Sequence, residues 1–336
     1  MFNKDRDNCT EPYIYLKKEL EKKNYKFISS KKIVIEDIDW IFFWNADSIK
    51  PRNLFKSIIF FYRMKKANVS TRNFVRKIKS SKKKTKTILF IQEPHTICPE
   101  NWNKKLHKEI DFIFTWDRKQ VDNKKYFPLD LPAYKDICKI QPENFKDRKL
   151  LLDITSNKRL RSKDAISDFR YKTICYFSDN HSESFDLFGF GWNQNITKVL
   201  LRRFRPTGLY SKLLKSYKGQ VKNKKETCEN YKFLICYENT IFDSYISNKI
   251  FDAFNSKIVP IYMGCDNIED FIPSNCFINR KDFSNDKELY SFINSMNEKT
   301  WLSYLDAALD FYQSSKADKF SEVHFSSEII KKLIKN

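Results

Sequence analysis

Short apolar runs separated by charged segments recur along most of the chain. Three of them lie before residue 120, at Trp40–Trp44, Ile88–Ile91 and Phe112–Thr115. A second series follows residue 148: Leu150–Ile154, Phe185–Phe188, Phe233–Tyr237, Ile258–Tyr262 and Cys276–Ile278. Short runs without alternation of apolar and polar residues are typical of strands that are buried on both faces, as in parallel sheets.

Helical patterns lie between and after these strands. Glu11 and Pro12 follow Thr10 in the manner of a helix start, and a basic, helix-like stretch covers Asn68–Lys86. Ser247–Phe254 and most of the chain from residue 285 onward also have helical periodicity. The alternation of short buried strands with helices predicts an α/β fold with mainly parallel sheets, followed by C-terminal helices.

A segment that contains prolines divides the two series of strands. Pro128–Arg148 holds Pro128, Pro132 and Pro142 and shows little periodicity, so it is the best candidate for a linker. We therefore predict a first α/β domain over residues 1–140, a second over residues 141–315 and a helical tail over residues 316–336.

Composition adds a strong positive charge to this picture. The formal net charge is +21, and hydrophobic residues make up 41% of the 336 residues, which is enough for a sizeable core. The charge fits three classes of partner: a nucleic acid, an anionic membrane surface or a phosphate-bearing small molecule. The abundance of Lys, Asn and Ile throughout the chain offers a further explanation, a general compositional bias.

The eight cysteines favour a reducing compartment. They form no C-x-x-C pair and mostly lie within apolar runs, which indicates buried thiols rather than a disulfide framework or a zinc site. The first residues contain no apolar signal core, and no stretch reaches the length of a membrane span. We expect a cytoplasmic protein, with peripheral contact to the inner face of the cell membrane left open.

Polar residues and a glycine follow several strands at the positions where a ligand would bind. In doubly wound sheets, ligands bind at the carboxyl ends of the strands. The residues at those ends are Glu93, Ser156, Asn157, Glu238, Asn239 and Gly264. Lys249 follows in the first turn of a predicted helix, where free N–H groups and the positive end of the helix dipole favour phosphate. Two such halves suit an enzyme that joins a nucleotide-linked donor to an acceptor.

Five segments between Tyr217 and Phe283 carry a more specific pattern: YKGQV, YKFLICYEN, DSYISNKIFDAF, VPIYMG and FIPSNCFINRKDF. They resemble the sugar-nucleotide-binding region of the α-1,3-fucosyltransferases, glycosyltransferase family 10. LLLDITSNK, FDLFGFGW and ILFIQEP extend the likeness upstream. The resemblance implies the GT-B arrangement, in which two Rossmann-like domains face each other across a cleft.

The resemblance also implies a reaction. It is metal-independent, inverting transfer of fucose from GDP-fucose to a sugar hydroxyl, with no cofactor beyond the nucleotide-sugar substrate. Because bacterial members of the family commonly decorate surface polysaccharides, the implied acceptor is a surface glycan such as lipopolysaccharide or O-antigen, as an oligosaccharide or on a lipid carrier.

Roles for individual residues follow from the same resemblance. Glu93 matches the catalytic glutamate of the acceptor domain and would take the proton of the attacking hydroxyl. By its position alone it could equally be a solvated carboxylate at a strand end. Lys249 matches a lysine that meets the nucleotide phosphates, whereas Asn239 and Tyr245 match residues near the nucleotide. For Tyr245 the alternative is a core aromatic residue.

Other candidate positions have alternatives of their own. Glu238 matches the glutamate of the family's Glu-Asn pair, but it could equally be a structural acceptor for backbone N–H groups. Gly264 could let a ligand approach the backbone, or it could be an ordinary turn glycine. An arginine is expected at the phosphates, and Arg170 is favoured over Arg161 because it opens the apolar-patterned run RYKTICYF. His95, two residues from Glu93, is the candidate contact to the acceptor.

One position departs from the family pattern. Where members usually carry Thr-Glu-Lys or Ser-Glu-Lys, this chain has Ser247, Asn248 and Lys249. The family glutamate is expected to hold the ribose hydroxyls, and an asparagine lacks its charge and one methylene group. The alternative donor is therefore another nucleotide-linked deoxy sugar, used with the same fold and mechanism.

Two further classes of function compete with a transferase. The stretches RKIKSSKKKTK and LLRRFRPTGLYSKLLKSYKG fit a basic nucleic-acid-binding protein, although no recognised binding fold accompanies them. The tail FSSEIIKKLIKN is basic and amphipathic, and it either packs within the protein or touches a membrane. No cluster of Cys and His has metal-ligand spacing, so we expect no metal site. We also expect no nucleic-acid partner, because the family-like segments already explain the polar residues at the strand ends.

Overall fold

The computed structural model describes residues 11–26, 38–46, 71–82, 84–133, 145–160, 162–193, 207–208 and 212–334. The strands are β1 (Trp40–Trp44), β2 (Lys86–Ile91), β3 (Phe112–Thr115), β4 (Tyr126–Pro128), β5 (Lys149–Ile154), β6 (Arg159–Leu160), β7 (Phe185–Phe188), β8 (Thr207–Gly208), β9 (Tyr231–Tyr237), β10 (Val259–Met263) and β11 (Ile278–Asn279). The helices are α1 (Glu11–Glu21), α2 (Thr71–Lys79), α3 (Lys104–Glu109), α4 (Ser167–Asn180), α5 (Lys224–Cys228), α6 (Asn248–Asn255), α7 (Asp286–Ser295), α8 (Glu298–Gln313) and α9 (Glu322–Ile334).

The chain divides into two compact units. The N-terminal unit is Lys26–Leu129, and the C-terminal unit combines Met1–Tyr25 with Asp130–Asn336. The sequence-based division differs in three respects, because it ends the first domain at residue 140, assigns α1 to that domain and separates residues 316–336 as a tail. Much of the expected linker, residues 134–144, lies outside the described residues.

A four-stranded parallel sheet forms the centre of the N-terminal unit. Its strands pair in the order β1-β2-β3-β4, with Phe43 opposite Leu89. Val75 of α2 and Leu106 of α3 pack against Leu89 in the core. Since the strands are parallel, their carboxyl ends lie at one edge of the sheet, and residue Glu93 follows β2 at that edge.

The C-terminal unit is built on a five-stranded parallel sheet in the order β11-β10-β9-β5-β7, beside a separate antiparallel pair, β6-β8. The central strand β9 is buried on both faces. Leu234 and Cys236 pack with Phe251 of α6 in one core cluster, whereas Phe233 packs with Phe177 of α4 in another. Helices therefore cover both faces of this sheet, which explains why its strands read as unbroken apolar runs.

Helix α9 packs within the protein. It lies against α1, with the rings of Tyr13 and Phe325 5.9 Å apart in an edge-to-face contact. The apolar positions of the tail that are buried are Phe325, Ile329, Ile330 and Leu333. The apolar face that we considered for membrane contact is thus largely covered by the chain itself. Within the described ranges, no helix has the length and hydrophobicity needed to cross a bilayer.

Two isoleucines of α9 give a matched test of this packing. We expect Ile329→Ala to lower the free energy of unfolding by about 2–5 kcal/mol, because Ile329 is fully buried and its removal leaves a cavity. Ile334→Ala, on the same helix but 57% exposed, should change it by less than about 0.5 kcal/mol. Chemical denaturation measures both, and equal effects would contradict the packing of α9.

Candidate functional site

The end of β9 and the start of α6 are joined by hydrogen bonds around Glu238. This residue directly follows β9, and its side chain is completely buried. Its Oε1 accepts from the backbone N–H of Ser247 at 2.8 Å, and its Oε2 accepts from the Ser247 hydroxyl and the Lys249 ammonium, each at 2.7 Å. Three donors therefore compensate the buried carboxylate, as the burial of a charge requires.

Ser247 is the N-cap of α6, and Lys249 lies in its first turn. The Ser247 hydroxyl oxygen accepts from the Lys249 ammonium at 3.0 Å in addition to donating to Glu238. The Lys249 side chain is 29% exposed, and its ammonium makes no other hydrogen bond within the described residues. Because an ammonium has three N–H donors, one of them remains for a ligand at the tip of α6.

Gly264 makes room for the Glu238 side chain. It follows β10, where the carbonyl of Met263 accepts from the Glu238 N–H at 2.8 Å. A Cβ atom on Gly264 would lie 2.4 Å from Cγ of Glu238 and 2.8 Å from the hydroxyl oxygen of Tyr262. The glycine is thus needed because the Glu238 side chain packs against it. This reason differs from the two that the sequence suggested, approach of a ligand and an ordinary turn.

The loop that leads into α6 is fixed to the loop that follows β10. Ser244 has a left-handed backbone conformation, with φ of 63°, and its N–H donates to Oδ1 of Asn267 at 2.8 Å. The next residue, Tyr245, is only 2% exposed. The structure thus buries Tyr245 two residues before the Ser247 cap, as a core aromatic residue would be.

Two amide side chains near the tip of α6 remain accessible. Asn239 is half-buried after β9. Its backbone carbonyl, not its side chain, accepts from the N–H of Ile166 at 3.3 Å. Asn248 is the first residue of α6 and is exposed. A ligand that approaches the N-terminus of α6 therefore meets amide and ammonium groups rather than the Glu238 carboxylate.

Arg170 supports the end of β9 from within the protein. It lies in the first turn of α4, which begins at Ser167, rather than at the opening of an apolar run. The side chain is 6% exposed, and Nη1 donates to the carbonyl of Tyr237 at 3.3 Å. Arg170 thus lies beside the Glu238 segment, but its guanidinium is enclosed. The alternative, Arg161, lies outside the described residues.

Asp153 is a buried carboxyl group near Arg170 that the sequence analysis did not single out. It lies in β5, is 1% exposed, and its Oδ2 has no hydrogen-bond partner among the described residues. Burial raises the pKa of Asp153 to about 7, although the positive charges of Arg170 and Lys224 oppose the shift. This group therefore titrates in the neutral range.

Ser156 and Asn157 follow β5 at the same edge of the sheet. Asn157 is 2% exposed, and its Nδ2 donates to the carbonyl of Gly191 at 3.0 Å, so its amide secures the loop after β7. Ser156 is half-buried. Gly189, with φ of 139°, approaches so closely that a Cβ there would lie 1.9 Å from the Thr155 carbonyl oxygen.

Glu93 is held in the N-terminal unit through its backbone. Asn45 has a left-handed conformation, with φ of 63°, and its Oδ1 accepts from the Glu93 N–H at 3.0 Å. The Glu93 carbonyl accepts from Nδ2 of Asn101 at 3.1 Å and from Nε1 of Trp102 at 3.4 Å. Both the N–H and the carbonyl of Glu93 are therefore held by hydrogen bonds, and its half-buried side chain extends from this fixed main chain.

Two histidines flank this arrangement in different ways. His95 is half-buried, with its ring 6.3 Å from that of Trp102 in an edge-to-face contact. His107 is buried, and its Nε2 donates to the carbonyl of Asn101 at 2.6 Å. Burial is the main cause that lowers the pKa of His107, which favours the neutral ring. His107 thus orients Asn101, which in turn holds Glu93.

Sequence reasoning missed Asn45, Asn101 and Asp153. A signal existed for Asn45, which follows the WIFFW strand as Glu93 follows ILFIQ, and for Asp153, which interrupts the apolar run LLLDI. Nothing in the local sequence marks Asn101, because its role depends on contacts with residues 45 and 93.

The cysteines and other metal-ligating side chains form no metal centre in the described ranges. The six cysteines placed there are free thiols, and five of them are buried: Cys98, Cys228, Cys236, Cys265 and Cys276. No group of three or more His, Cys, Asp or Glu side chains in these ranges is arranged to hold an ion.

The raised pKa of Asp153 predicts a pH dependence of stability. Between about pH 4 and pH 7 the folded protein holds a proton on Asp153 that the unfolded chain releases, so its contribution to the free energy of unfolding falls as the pH rises through this window. The slope is at most about 1.4 kcal/mol per pH unit. Asp153→Asn should abolish this contribution. The free energy of unfolding of the variant, relative to that of the unmodified protein, should therefore be higher at pH 8 than at pH 5. Urea denaturation at both pH values measures the gain, and an unchanged difference would contradict the titration.

Comparison with known proteins places this site within a recognised region. Residues 194–330 match the family described as glycosyltransferase family 10 (fucosyltransferase) C-term. An α-(1,3)-fucosyltransferase of Helicobacter pylori is 36% identical over 105 residues, which cover 28% of this chain and 22% of that protein. An α-(1,4)-fucosyltransferase of Arabidopsis thaliana is 36% identical over 69 residues, which cover 20% of this chain and 17% of that protein. The matches thus span less than a quarter of the length of these two relatives.

A solved structure supports the fold over nearly the whole chain. WaaG, a glycosyltransferase involved in lipopolysaccharide biosynthesis, has a TM-score of 0.51 at 9% identity, and the likeness covers 96% of this chain and 95% of that one. It agrees with the predicted α/β fold of the GT-B type. The site around Glu238, Ser247 and Lys249 lies inside the matched family region. Over residues 194–330, the chain is therefore similar to the C-terminal region of glycosyltransferase family 10, the fucosyltransferase family.

Proposed function

We propose that the protein is an inverting, metal-independent glycosyltransferase that moves fucose from GDP-fucose to a hydroxyl of a surface-glycan acceptor. The observation that carries this proposal is the tip of α6, where an ammonium with a spare N–H donor and a capped helix N-terminus lie within the family 10 region. Such a tip suits the diphosphate of a sugar nucleotide, because it offers both charge and hydrogen bonds without a metal.

The donor half of the reaction is the departure of a nucleoside diphosphate. As the bond between the anomeric carbon and the phosphate oxygen breaks, negative charge grows on the leaving diphosphate. Lys249 and the first N–H groups of α6 meet that charge, and the sugar ring develops oxocarbenium character. Asn239 and Asn248 offer amides to the sugar or ribose hydroxyls, and no cofactor takes part.

The acceptor half of the reaction requires a base. An acceptor hydroxyl oxygen attacks the anomeric carbon from the face opposite the leaving group, and its proton passes to the Glu93 carboxylate. The backbone contacts from Asn45 and Asn101 support this role, because a base must be held at a fixed position to receive a proton in the transition state. His95, beside Trp102, is the proposed acceptor contact.

The exposed amide of Asn248 is the reason to consider a sugar donor other than GDP-fucose. A carboxylate at this position would grip two ribose hydroxyls, whereas an amide offers one acceptor and two donors and no charge. Another nucleotide-linked deoxy sugar, transferred by the same residues, is therefore the competing proposal. Calorimetric titration with GDP, dTDP and UDP distinguishes the two. Tight GDP binding without dTDP binding removes the alternative.

Two other interpretations receive less support. Arg72 and Arg76 both donate to Glu109, and Lys79 pairs with Asp111, so these cations of α2 are engaged within the protein rather than free for a nucleic acid. The apolar face of α9 is covered by packing within the C-terminal unit. We therefore propose a cytoplasmic enzyme that works on a lipid-linked or oligosaccharide acceptor at the inner face of the membrane, without a nucleic-acid partner.

Glu93→Gln tests the base. The amide keeps the size of the side chain but accepts no proton, so the transfer rate should fall by about 10²–10⁴-fold. Nucleotide affinity should change little, since Glu93 belongs to the N-terminal unit and the proposed nucleotide contacts to the C-terminal unit. Glu100→Gln, which alters an exposed carboxylate of the same unit, is the control and should retain activity. Unchanged turnover by Glu93→Gln would remove its proposed role.

Lys249→Gln tests the phosphate contact. The amide still donates to Glu238 and Ser247, so the buried carboxylate keeps partners, but the positive charge is lost. Nucleotide binding should weaken by about 1.5–3 kcal/mol, the range of a hydrogen bond to a charged group. Calorimetry with GDP measures the change, and an unaltered affinity would contradict this contact.

A further inference from the structure

The geometry around α6 assigns a function to Glu238 that goes beyond a structural acceptor. We propose that Glu238 is a positioning residue for the nucleotide phosphates: its buried carboxylate fixes the Lys249 ammonium so that the remaining N–H donor meets a phosphate oxygen. This inference rests on the proposed nucleotide-binding function of the same site.

The first argument is the contrast in exposure between the two partners. Glu238 is 0% exposed and Lys249 is 29% exposed, although their charged atoms lie 2.7 Å apart. A ligand in solvent can therefore reach the Lys249 side chain but not the Glu238 carboxylate. Glu238 acts on such a ligand only through Lys249 or Ser247, which is what defines a positioning residue.

The second argument is the number of restraints on the ammonium. Nζ of Lys249 donates to Oε2 of Glu238 at 2.7 Å and to Oγ of Ser247 at 3.0 Å. The Ser247 hydroxyl itself donates to Oε2 at 2.7 Å, so the three groups form a closed triangle of hydrogen bonds. Two of the three ammonium donors are thereby directed inward, and the direction of the third is set. A lysine side chain otherwise loses considerable rotamer entropy when it binds a ligand, and this arrangement removes part of that cost beforehand.

The third argument is the space that the fold reserves for this carboxylate. A methyl group at Gly264 would lie 2.4 Å from Cγ and 2.8 Å from Cβ of Glu238, so any larger residue displaces the side chain. The loop after β10 thus fits the Glu238 side chain in the one orientation that reaches Ser247 and Lys249.

A purely electrostatic account predicts the opposite effect from positioning. If the carboxylate only added negative charge near the phosphates, its neutralisation would strengthen anion binding. If the carboxylate orients Lys249, replacing Glu238 by glutamine weakens binding. The N–H group of the glutamine amide would face a group that now donates to the carboxylate, so the Lys249 ammonium would lose its fixed position. The sign of the change in affinity therefore separates the two accounts.

The test is a double-mutant cycle of Glu238→Gln with Lys249→Gln, with GDP affinity measured by calorimetry. We expect Glu238→Gln alone to weaken GDP binding about tenfold, and by less than twofold when Lys249 is already glutamine, because Glu238 then has no ammonium to position. Tighter binding by Glu238→Gln, or an equal loss in both backgrounds, would overturn the proposal. Failure of the unmodified protein to bind GDP, dTDP or UDP would instead contradict the proposed function.

Two more variants separate charge from position. Glu238→Asp keeps the charge but shortens the reach by one methylene, and Gly264→Ala keeps the charge but displaces the side chain. Both should weaken GDP binding about tenfold, and wild-type affinity in Glu238→Asp would count against positioning. If Gly264→Ala fails to fold, the two Glu238 variants carry the test.

A charge pair on the same helix provides the control. Asp252 of α6 accepts from the Lys224 ammonium at 2.6 Å, which is a comparable carboxylate–ammonium contact away from the N-terminus of the helix. Asp252→Asn should alter thermal stability and leave the affinity for GDP within twofold. A loss of affinity in Asp252→Asn equal to that in Glu238→Gln would show that helix stability, rather than the position of Lys249, governs binding, and would overturn the proposal.

Discussion

A charged carboxylate that is wholly removed from water must be matched by donors, and Glu238 imposes this constraint on the C-terminal unit. Its two oxygens account for the N-cap of α6, the inward direction of the Lys249 ammonium and the presence of a glycine after β10. Ser247 and Lys249 lie at the start of α6 and Gly264 follows β10, yet all three satisfy or accommodate the one carboxylate that is buried at the end of β9.

The N-terminal unit uses the same device with neutral groups. Asn45, Asn101 and His107 form a chain of hydrogen bonds that ends at the backbone of Glu93. In both units the group with proposed chemistry is partly accessible, whereas Asn101 and His107 in one unit and Glu238 in the other are buried. This division suits catalysis, because buried and fully satisfied polar networks are rigid and keep the exposed group in one geometry.

The positive charge of the chain is used differently in different places. In α2, Arg72 and Arg76 pair with Glu109 and Lys79 pairs with Asp111, all within the same unit. Arg170 is enclosed behind β9 near Asp153, a carboxyl group whose pKa is raised by burial. At the tip of α6, by contrast, one ammonium donor remains open. The net charge of +21 alone therefore does not predict a binding partner. The local contacts of each cation are a better guide to what the protein binds.

The sequence by itself determined the fold class and most of the strands. β1, β3 and β7 have the bounds that their apolar runs predicted, because a short local run of apolar residues is enough to mark a strand of a parallel sheet. Cys276–Ile278 was a partial exception, since residues 274–276 form a 3-10 turn and only Ile278 begins a strand. A run this short carries too little pattern to separate a turn from a strand.

The tertiary structure decided which polar residues act together. Glu238 bonds to residues nine and eleven positions further along and packs on Gly264, and Asn101 bonds to Asn45 across fifty-six positions. Periodicity reports the environment of a residue along its own helix or strand, whereas a hydrogen bond needs two groups at one point in space. Only the path of the chain brings those groups together, so the sequence could name Glu238, Arg170 and Tyr245 as candidates but could not determine which of them faces a ligand.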